Sequence, residues 1–244
     1  MIVLCDEVTC AVCGHTGQLP SIGHWEAEGP WGLDNRPPEP MLSHLALLVQ
    51  ACPDCGYCAG DVGMAEDGVA DIVRAEAYQT LRHRSDVPED CLHFLLQGHI
   101  AKTQGNAMDA AWAHIHAAWL FESHGDDARS CEHRLVAADL LRLEMLGNLD
   151  GFKEPGAVWL LRCDLLRRAG CLEEARGVAL VGLAIGPSME LETDLRYELT
   201  LIDDGDRSFR DFWDARGRPE SAMTSDPGVL DLTRADIVLD KIGQ

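Results

Sequence analysis

Residues 88–125 read PEDCLHFLLQGHIAKTQGNAMDAAWAHIHAAWLFESHG, and this stretch decides the fold class. Pro88-Glu89-Asp90 is a helix start, with proline early and acids in the first turn, where they meet the positive end of the helix dipole. Cys91, Leu92, Leu95, Leu96, His99 and Ile100 then recur at threes and fours and mark one face as far as Gly105. Asn106 supplies an N-cap, and Met108, Ala111, Trp112, Ile115, Ala118, Trp119 and Phe121 carry the pattern to Gly125. Two such helices joined by a short glycine-bearing turn make an antiparallel hairpin.

The same texture continues on both sides. Upstream, Asp71–Arg84 predicts a helix stopped near Pro88. Downstream, Asp126 or Asp127 opens a long helix carrying Leu135, Ala138, Leu141, Leu143 and Met145 before Gly147. A second pair runs from about Pro155 to Ala169 and from Leu172 to Ile185, split by Gly170 and ended by Gly186-Pro187. Both pairs resemble the tetratricopeptide hairpin: Gly98, Gly105, Ala110 and Ala117 take its small and turn sites in the first, and Trp159, Gly170, Ala175 and Pro187 its aromatic, turn, alanine and proline sites in the second. The two turns, Gly105 and Gly170, lie 65 residues apart, so a regular 34-residue array is not expected. Cys91, Cys131, Cys163 and Cys171 on these helices read as small buried hydrophobes. His114 and His116 are two apart on a helix, point to different faces and do not readily share an ion.

Before Gly68 the chain is of another kind. Cys10-Ala-Val-Cys13-Gly14-His15 and Cys52-Pro53-Asp54-Cys55-Gly56-Tyr57 are two C-x-x-C segments, each followed directly by glycine. Two cysteines three apart turn both thiolates toward one ion only if the backbone curls tightly between them, and the residue after the second then favours the left-handed conformation of glycine. Two such knuckles complete a tetrahedral four-sulfur site, the closed geometry of structural Zn2+. Cys10, Cys13, Cys52 and Cys55 are therefore the candidate ligands, with zinc preferred. Rubredoxins pair the same knuckles around iron, and the 38 residues from Gly14 to Ala51 suit either metal. Cys5 and Cys58 are spare, and His15 and His24 are minor alternatives. Between the knuckles, residues Pro20–Pro40 hold five of the eleven prolines and read as an ordered loop hung on the metal site, anchored by Trp25 and Trp31. Leu45–Gln50 reads best as a strand leading into the second knuckle, with a short helix as the alternative.

The expected architecture is thus mainly α. A zinc-ribbon-like module with its Pro-rich insertion occupies residues 1–65 and a body of helix hairpins residues 66–215. Residues 216–244 form a linker and a candidate docking helix over Val229–Ile242. Asp203-Asp204-Gly205-Asp206 lacks the remaining ligands of a calcium loop and reads as a turn. No H-E-x-x-H, P-loop, G-x-S-x-G or dinucleotide fingerprint occurs.

The two knuckles and the Ala-Ala-Trp segments, Ala110-Ala111-Trp112 and Ala117-Ala118-Trp119, resemble a bacterial family of unknown function, DUF2225, over residues 10 to about 190. The resemblance implies a cytoplasmic bacterial protein with a metal-binding N-terminus and tetratricopeptide-like helices, and it implies no activity. The family pattern carries alanine after the tyrosine, where this chain has Cys58.

Charge bounds the partners. Twenty basic against forty-one acidic residues give −21, a field that repels phosphate backbones and anionic lipid. Residues 5–60 contain one arginine and no lysine, unlike a nucleic-acid-reading ribbon. Met1–Cys10 lacks a basic leader, and apolar runs such as Leu45–Val49 are far too short to span a bilayer, so the expectation is a cytoplasmic protein without membrane or nucleic-acid partners. The favoured role is a non-enzymatic adaptor that binds another protein through its helices, and the alternative is a metal- or thiol-dependent enzyme or redox protein using Cys58. Asp109, Glu122, Asp126 and Asp127, near helix ends, are candidates to line an acidic groove, although capping is the plainer role for them. At physiological salt the protein is expected not to shift mixed-sequence DNA or RNA at micromolar concentration; a salt-sensitive shift in a gel assay would restore the ribbon as a nucleic-acid reader.

Overall fold

The computed structural model describes residues 1–147 and 155–219. The chain is mainly helical, with a small strand-bearing, cysteine-rich N-terminal region that resembles a zinc ribbon. Among the described residues no helix is long and apolar enough to cross a membrane. Residues Val229–Ile242, read from sequence as a docking helix, lie outside the described residues.

Ile2–Thr9 (β1) and Thr16–His24 (β2) pair antiparallel with Thr9 opposite Thr16 and Cys5 opposite Pro20. Pro20–His24 therefore belongs to a strand and not to the irregular loop expected there. Proline is tolerated because a two-stranded ribbon leaves each strand an unpaired edge. Gln50–Ala51 (β3) and Cys58–Ala59 (β4) form a second, shorter pair. The strand expected over Leu45–Gln50 is confined to its end, since Leu42–Leu48 winds into 3-10 turns. Leu42, Leu45 and Leu48 recur every three residues, which is the period of that helix, and Leu45 is buried.

The helix expected over Asp71–Arg84 is two: Val69–Arg74 (α1) and Glu76–Arg82 (α2), broken where Ala75 is extended (ψ 144°). Glu89–Thr103 (α3) and Ala107–Ser123 (α4) then form the hairpin read from the sequence, with the Asn106 side chain accepting the Asp109 N–H as a cap. The two helices touch closely because the residues between them are small. A Cβ on Gly98 would sit 3.1 Å from that of Ala113, and Ala110 and Ala117 are wholly buried. Asp127–Gly147 (α5) buries Ser130, Arg134, Ala137, Ala138 and Leu141, a stripe of one helical period. Leu135 and Leu143, expected on the inner face, turn outward, and the Met145 side chain is outside the described part.

Pro155–Ala169 (α6) and Leu172–Ala184 (α7) make the second hairpin, again with no spare room, since a Cβ on Gly182 would meet that of Trp159 at 2.9 Å. Two further helices follow that the sequence reading does not name, Met189–Asp203 (α8) and Phe212–Arg216 (α9). Ser188 caps α8, which ends in the turn expected over Asp203–Asp206. Of the helix cysteines, Cys91 and Cys163 are fully buried as expected, whereas Cys131 and Cys171 are only half-buried.

The described residues divide into two compact units, Met1–Glu26 with Ser43–Leu143, and Ala27–Leu42 with the described residues from Glu144 onward. Most of the Pro-rich insertion, from Ala27 onward, is thus part of the second unit, while Pro20–Glu26 belongs to the first. Leu33 N–H donates to the Arg210 carbonyl, Phe212 N–H donates to that of Trp31, and Gly32 bridges to Asp211. Inside the second unit lies a chain of buried charges. Arg167 donates to Glu198 (2.7 Å), to Asp164 (2.5 Å) and to the carbonyls of Asp206 and Ser208, while Arg168 donates to Asp34 (2.6 Å). All five of these side chains are buried. Three carboxyl groups thus face two guanidinium groups. Burial pushes Asp164 and Glu198 above the usual carboxylate range, and the Arg167 guanidinium opposes that shift at both.

Two predictions follow from these interiors. Arg167→Met is expected to cost roughly 3–5 kcal/mol in chemical denaturation, because it strands two buried carboxyl groups. Glu198→Gln keeps the shape and removes a charge that burial disfavours, so it should cost less; comparable losses for the two variants would show that the Glu198 charge is needed as much as the guanidinium. In the first unit, His116 is packed among Phe94, Trp112 and Trp119, and burial pushes it down to about 4. His114, stacked on His133 with Nδ1 atoms 3.1 Å apart, is pushed to about 3 by burial and by its neighbour. The unfolded chain takes up protons at these histidines below about pH 6.5 and the folded one does not, so stability is present above that pH and is lost as pH falls toward 4. His116→Phe should flatten this acid limb in a pH series of thermal melts.

Candidate metal centre

The first knuckle is the tip of the β1–β2 hairpin, and the second is the tip of β3–β4. Their backbones repeat each other. Cys10 N–H donates to the His15 carbonyl and Cys52 N–H to that of Tyr57, both at 2.8 Å. Gly14 N–H and Gly56 N–H close the inner turn on Cys10 and Cys52, at 2.8 and 2.9 Å. Both glycines have positive φ, +76° and +77°, which explains why each C-x-x-C is followed by glycine. The tips are tied together where Ala11 N–H donates to the Val62 carbonyl and Val62 N–H to the Gln50 side chain.

This brings the four sulfurs expected from sequence into one cluster. Cys10, Cys13, Cys52 and Cys55 Sγ all lie within 4.8 Å of one another, with Cys10–Cys55 at 3.7 Å and Cys13–Cys52 at 3.6 Å. A disulfide needs about 2.05 Å, so these are separate thiols. A tetrahedral ion with metal–sulfur bonds of about 2.3 Å would set its sulfurs about 3.8 Å apart. The donor set and its spacing therefore fit a four-coordinate metal ion. Burial pushes the Cys10 and Cys55 thiols up. At Cys52 burial acts the same way but is outweighed by the N–H groups of Cys55 and Asp54 pointing at the sulfur, and this thiol sits below its ordinary value. The N–H groups of Cys13 and Val12 play the same part at Cys10.

The remaining sequence candidates lie apart. Cys5 is exposed on β1 beside Gln18, and His24 is exposed beside Glu26. His15 is exposed and contributes its carbonyl to the knuckle. Cys58 is 1% exposed and turns its thiol to the Gly56 carbonyl at 3.4 Å, under the Tyr78 hydroxyl. Burial pushes that thiol up to about 12, a poor setting for a nucleophile.

Sequence reasoning missed the side chains that clamp the second knuckle to α2. Tyr78 donates to the Gly56 carbonyl (2.8 Å), Gln79 to that of Cys55 (3.4 Å), and Arg82 to those of Pro53 and Asp54 (3.3 and 3.1 Å). A Cβ on Gly56 would run into the Arg82 guanidinium, so this glycine answers to both φ and space. Tyr78, Gln79 and Arg82 carry no motif; their spacing of one helical turn is the only sign that they share a face. Family models, curated proteins and solved structures offer no match to this chain.

Cys52→Ser removes a ligand and is expected to unfold the N-terminal region at ordinary temperature. Thiolate–metal bonding in structural sites contributes about 10 kcal/mol or more, as much as a whole domain's stability. Cys58→Ser should cost only a core-packing penalty of about 1–3 kcal/mol. Equal losses of melting temperature and of bound metal in the two variants would show that Cys58 is a ligand.

Proposed function

We propose that this chain is a non-enzymatic adaptor in which a structural zinc ion, held by Cys10, Cys13, Cys52 and Cys55, fixes one end of a helical scaffold that binds another protein. The observation that carries this reading is the clamp from α2. The metal knuckle and the helices leading into the α3–α4 hairpin are joined by three side chains donating to four knuckle carbonyls. An all-sulfur site leaves no coordination position for a substrate, which suits a structural role. The close Gly98–Ala113 and Gly182–Trp159 approaches support tetratricopeptide-like hairpins, and a kinship with the DUF2225 family, with its bacterial cytoplasmic setting, belongs to the same proposal. Zinc is preferred; the four sulfurs suit a rubredoxin-like iron site equally in geometry.

A basic or amphipathic protein segment is the partner class. Many of the arginines are tied to carboxylates, among them Arg84, Arg129 and Arg134 in the first unit and Arg176, Arg196 and Arg216 in the second. With those arginines neutralised locally, the net charge of −21 leaves acidic residues in excess. Three of the four acids considered for a groove are engaged elsewhere: the Asp109 carboxylate accepts from the Asn106 amide, Asp126 caps α5 and Glu122 pairs with Arg134.

Protein purified without added metal is expected to contain one equivalent of zinc at this site and to be colourless; a red, iron-loaded form would favour the electron-transfer reading. Affinity capture from the producing cells should return a stoichiometric partner that raised salt releases. A purified chain that instead turns over a small molecule, with Cys58→Ser inactive, would overturn the adaptor.

A further inference from the structure

The α3–α4 hairpin folds the first turn of α3 against the end of α4, and three metal-ligating side chains meet there. Asp90 and Cys91 come from the first turn of α3, and His124 is the residue that closes α4. The His124 Nε2 lies 3.0 and 2.9 Å from the two Asp90 carboxylate oxygens. With Cys91 Sγ, all three donors fall within 4.8 Å of one another. We propose that Asp90, Cys91 and His124 form a second metal site, open to solvent, for a late first-row divalent ion such as Zn2+, Co2+ or Ni2+.

The donor set selects that class. One imidazole nitrogen, one carboxylate oxygen and one thiolate sulfur make a borderline-soft site, unsuited to magnesium or calcium, which take oxygen ligands. Bonds of about 2.0–2.1 Å to nitrogen and oxygen put those two donors roughly 3.3 Å apart in a tetrahedron, a few tenths of an ångström from where they stand. The formal charges balance too, since a carboxylate and a thiolate neutralise a divalent ion. Asp126 adds negative potential near the thiol, and Arg129, the neighbouring cation, is held by Asp86 and Asp126.

A part-exposed aspartate–histidine pair alone would contribute little to stability. On metal binding the Cys91 S–H releases its proton to solvent as the metal–sulfur bond forms, and the Asp90–His124 hydrogen bond gives way to two bonds to one ion. Cys91 is fully buried beneath the site whereas His124 is exposed, so the open coordination position faces outward. Three protein ligands with a water in the fourth place is the arrangement that lets a metal bind an exogenous ligand, in contrast to the closed four-sulfur centre.

The test uses the full chain loaded with one equivalent of zinc at the four-sulfur site and titrated with Co2+ alone. The expected result is uptake of one further equivalent, with a sulfur-to-cobalt charge-transfer band from a single thiolate. His124→Gln and Asp90→Asn, both at the surface, should weaken this second equivalent by more than about tenfold while leaving the zinc content unchanged. Cys91→Ser should abolish the charge-transfer band, and the two surface variants keep the test decisive if loss of a core thiol unfolds the hairpin. Saturation without a second equivalent, or a second equivalent indifferent to His124→Gln and Asp90→Asn, would overturn the proposal.

Discussion

Four thiolates within 4.8 Å of one another cannot coexist as bare anions. Each carries a charge that the others repel, and burial at Cys10 and Cys52 removes the water that would screen them. The arrangement is stable only with protons on most of the sulfurs or with a cation among them. The two knuckles and α2 are disposed around that constraint. Two hairpin tips with the same hydrogen bonds approach head to head, their N–H groups aim at the sulfurs of Cys10 and Cys52, and α2 fastens the second tip from behind. A cation in the cluster would convert the strongest repulsion in the unit into its strongest attraction.

The second unit meets the same difficulty by different means. Its buried carboxyl groups, Asp34, Asp164 and Glu198, are answered by Arg167 and Arg168. Guanidinium suits this place because its planar fork serves several acceptors at once. Arg167 reaches two carboxyl groups and two backbone carbonyls on the segment following α8, so one side chain orders a stretch that has no regular structure of its own.

The four-cysteine cluster was legible because metal-binding chemistry imposes a spacing: cysteines three apart and a glycine after them leave few alternatives. The helix hairpins were legible because caps and stops are local, as Asn106 and Gly105 illustrate. The rest was hidden for physical reasons. Arg167, Asp164 and Glu198 look like surface residues until the helices that surround them are known. Leu42–Leu48 is apolar enough for a strand, and only its threefold period distinguishes it. Leu135 and Leu143 suggested the inner face of α5, but Ser130 and Arg134 occupy it because each finds a partner there, Ser130 the Ala118 carbonyl and Arg134 the Ser130 hydroxyl and Glu122. The first strand begins in a stretch, Ile2–Thr9, whose pairing is set by a hairpin tip beyond it.

The insertion has a consequence in time. All four clustered cysteines lie within the first fifty-five residues, so a ribosome delivers the complete four-sulfur cluster early. Asp34, between the two knuckles, must wait for Arg168, which stands 134 residues further along the chain. At common translation rates of about 5–20 residues per second, that wait is on the order of ten seconds. During it, the insertion is a loop tethered at both ends with its proper contacts not yet made, its polar groups and prolines facing water. A chain built this way assembles its N-terminal unit around a gap and fills its second unit partly with residues made long before.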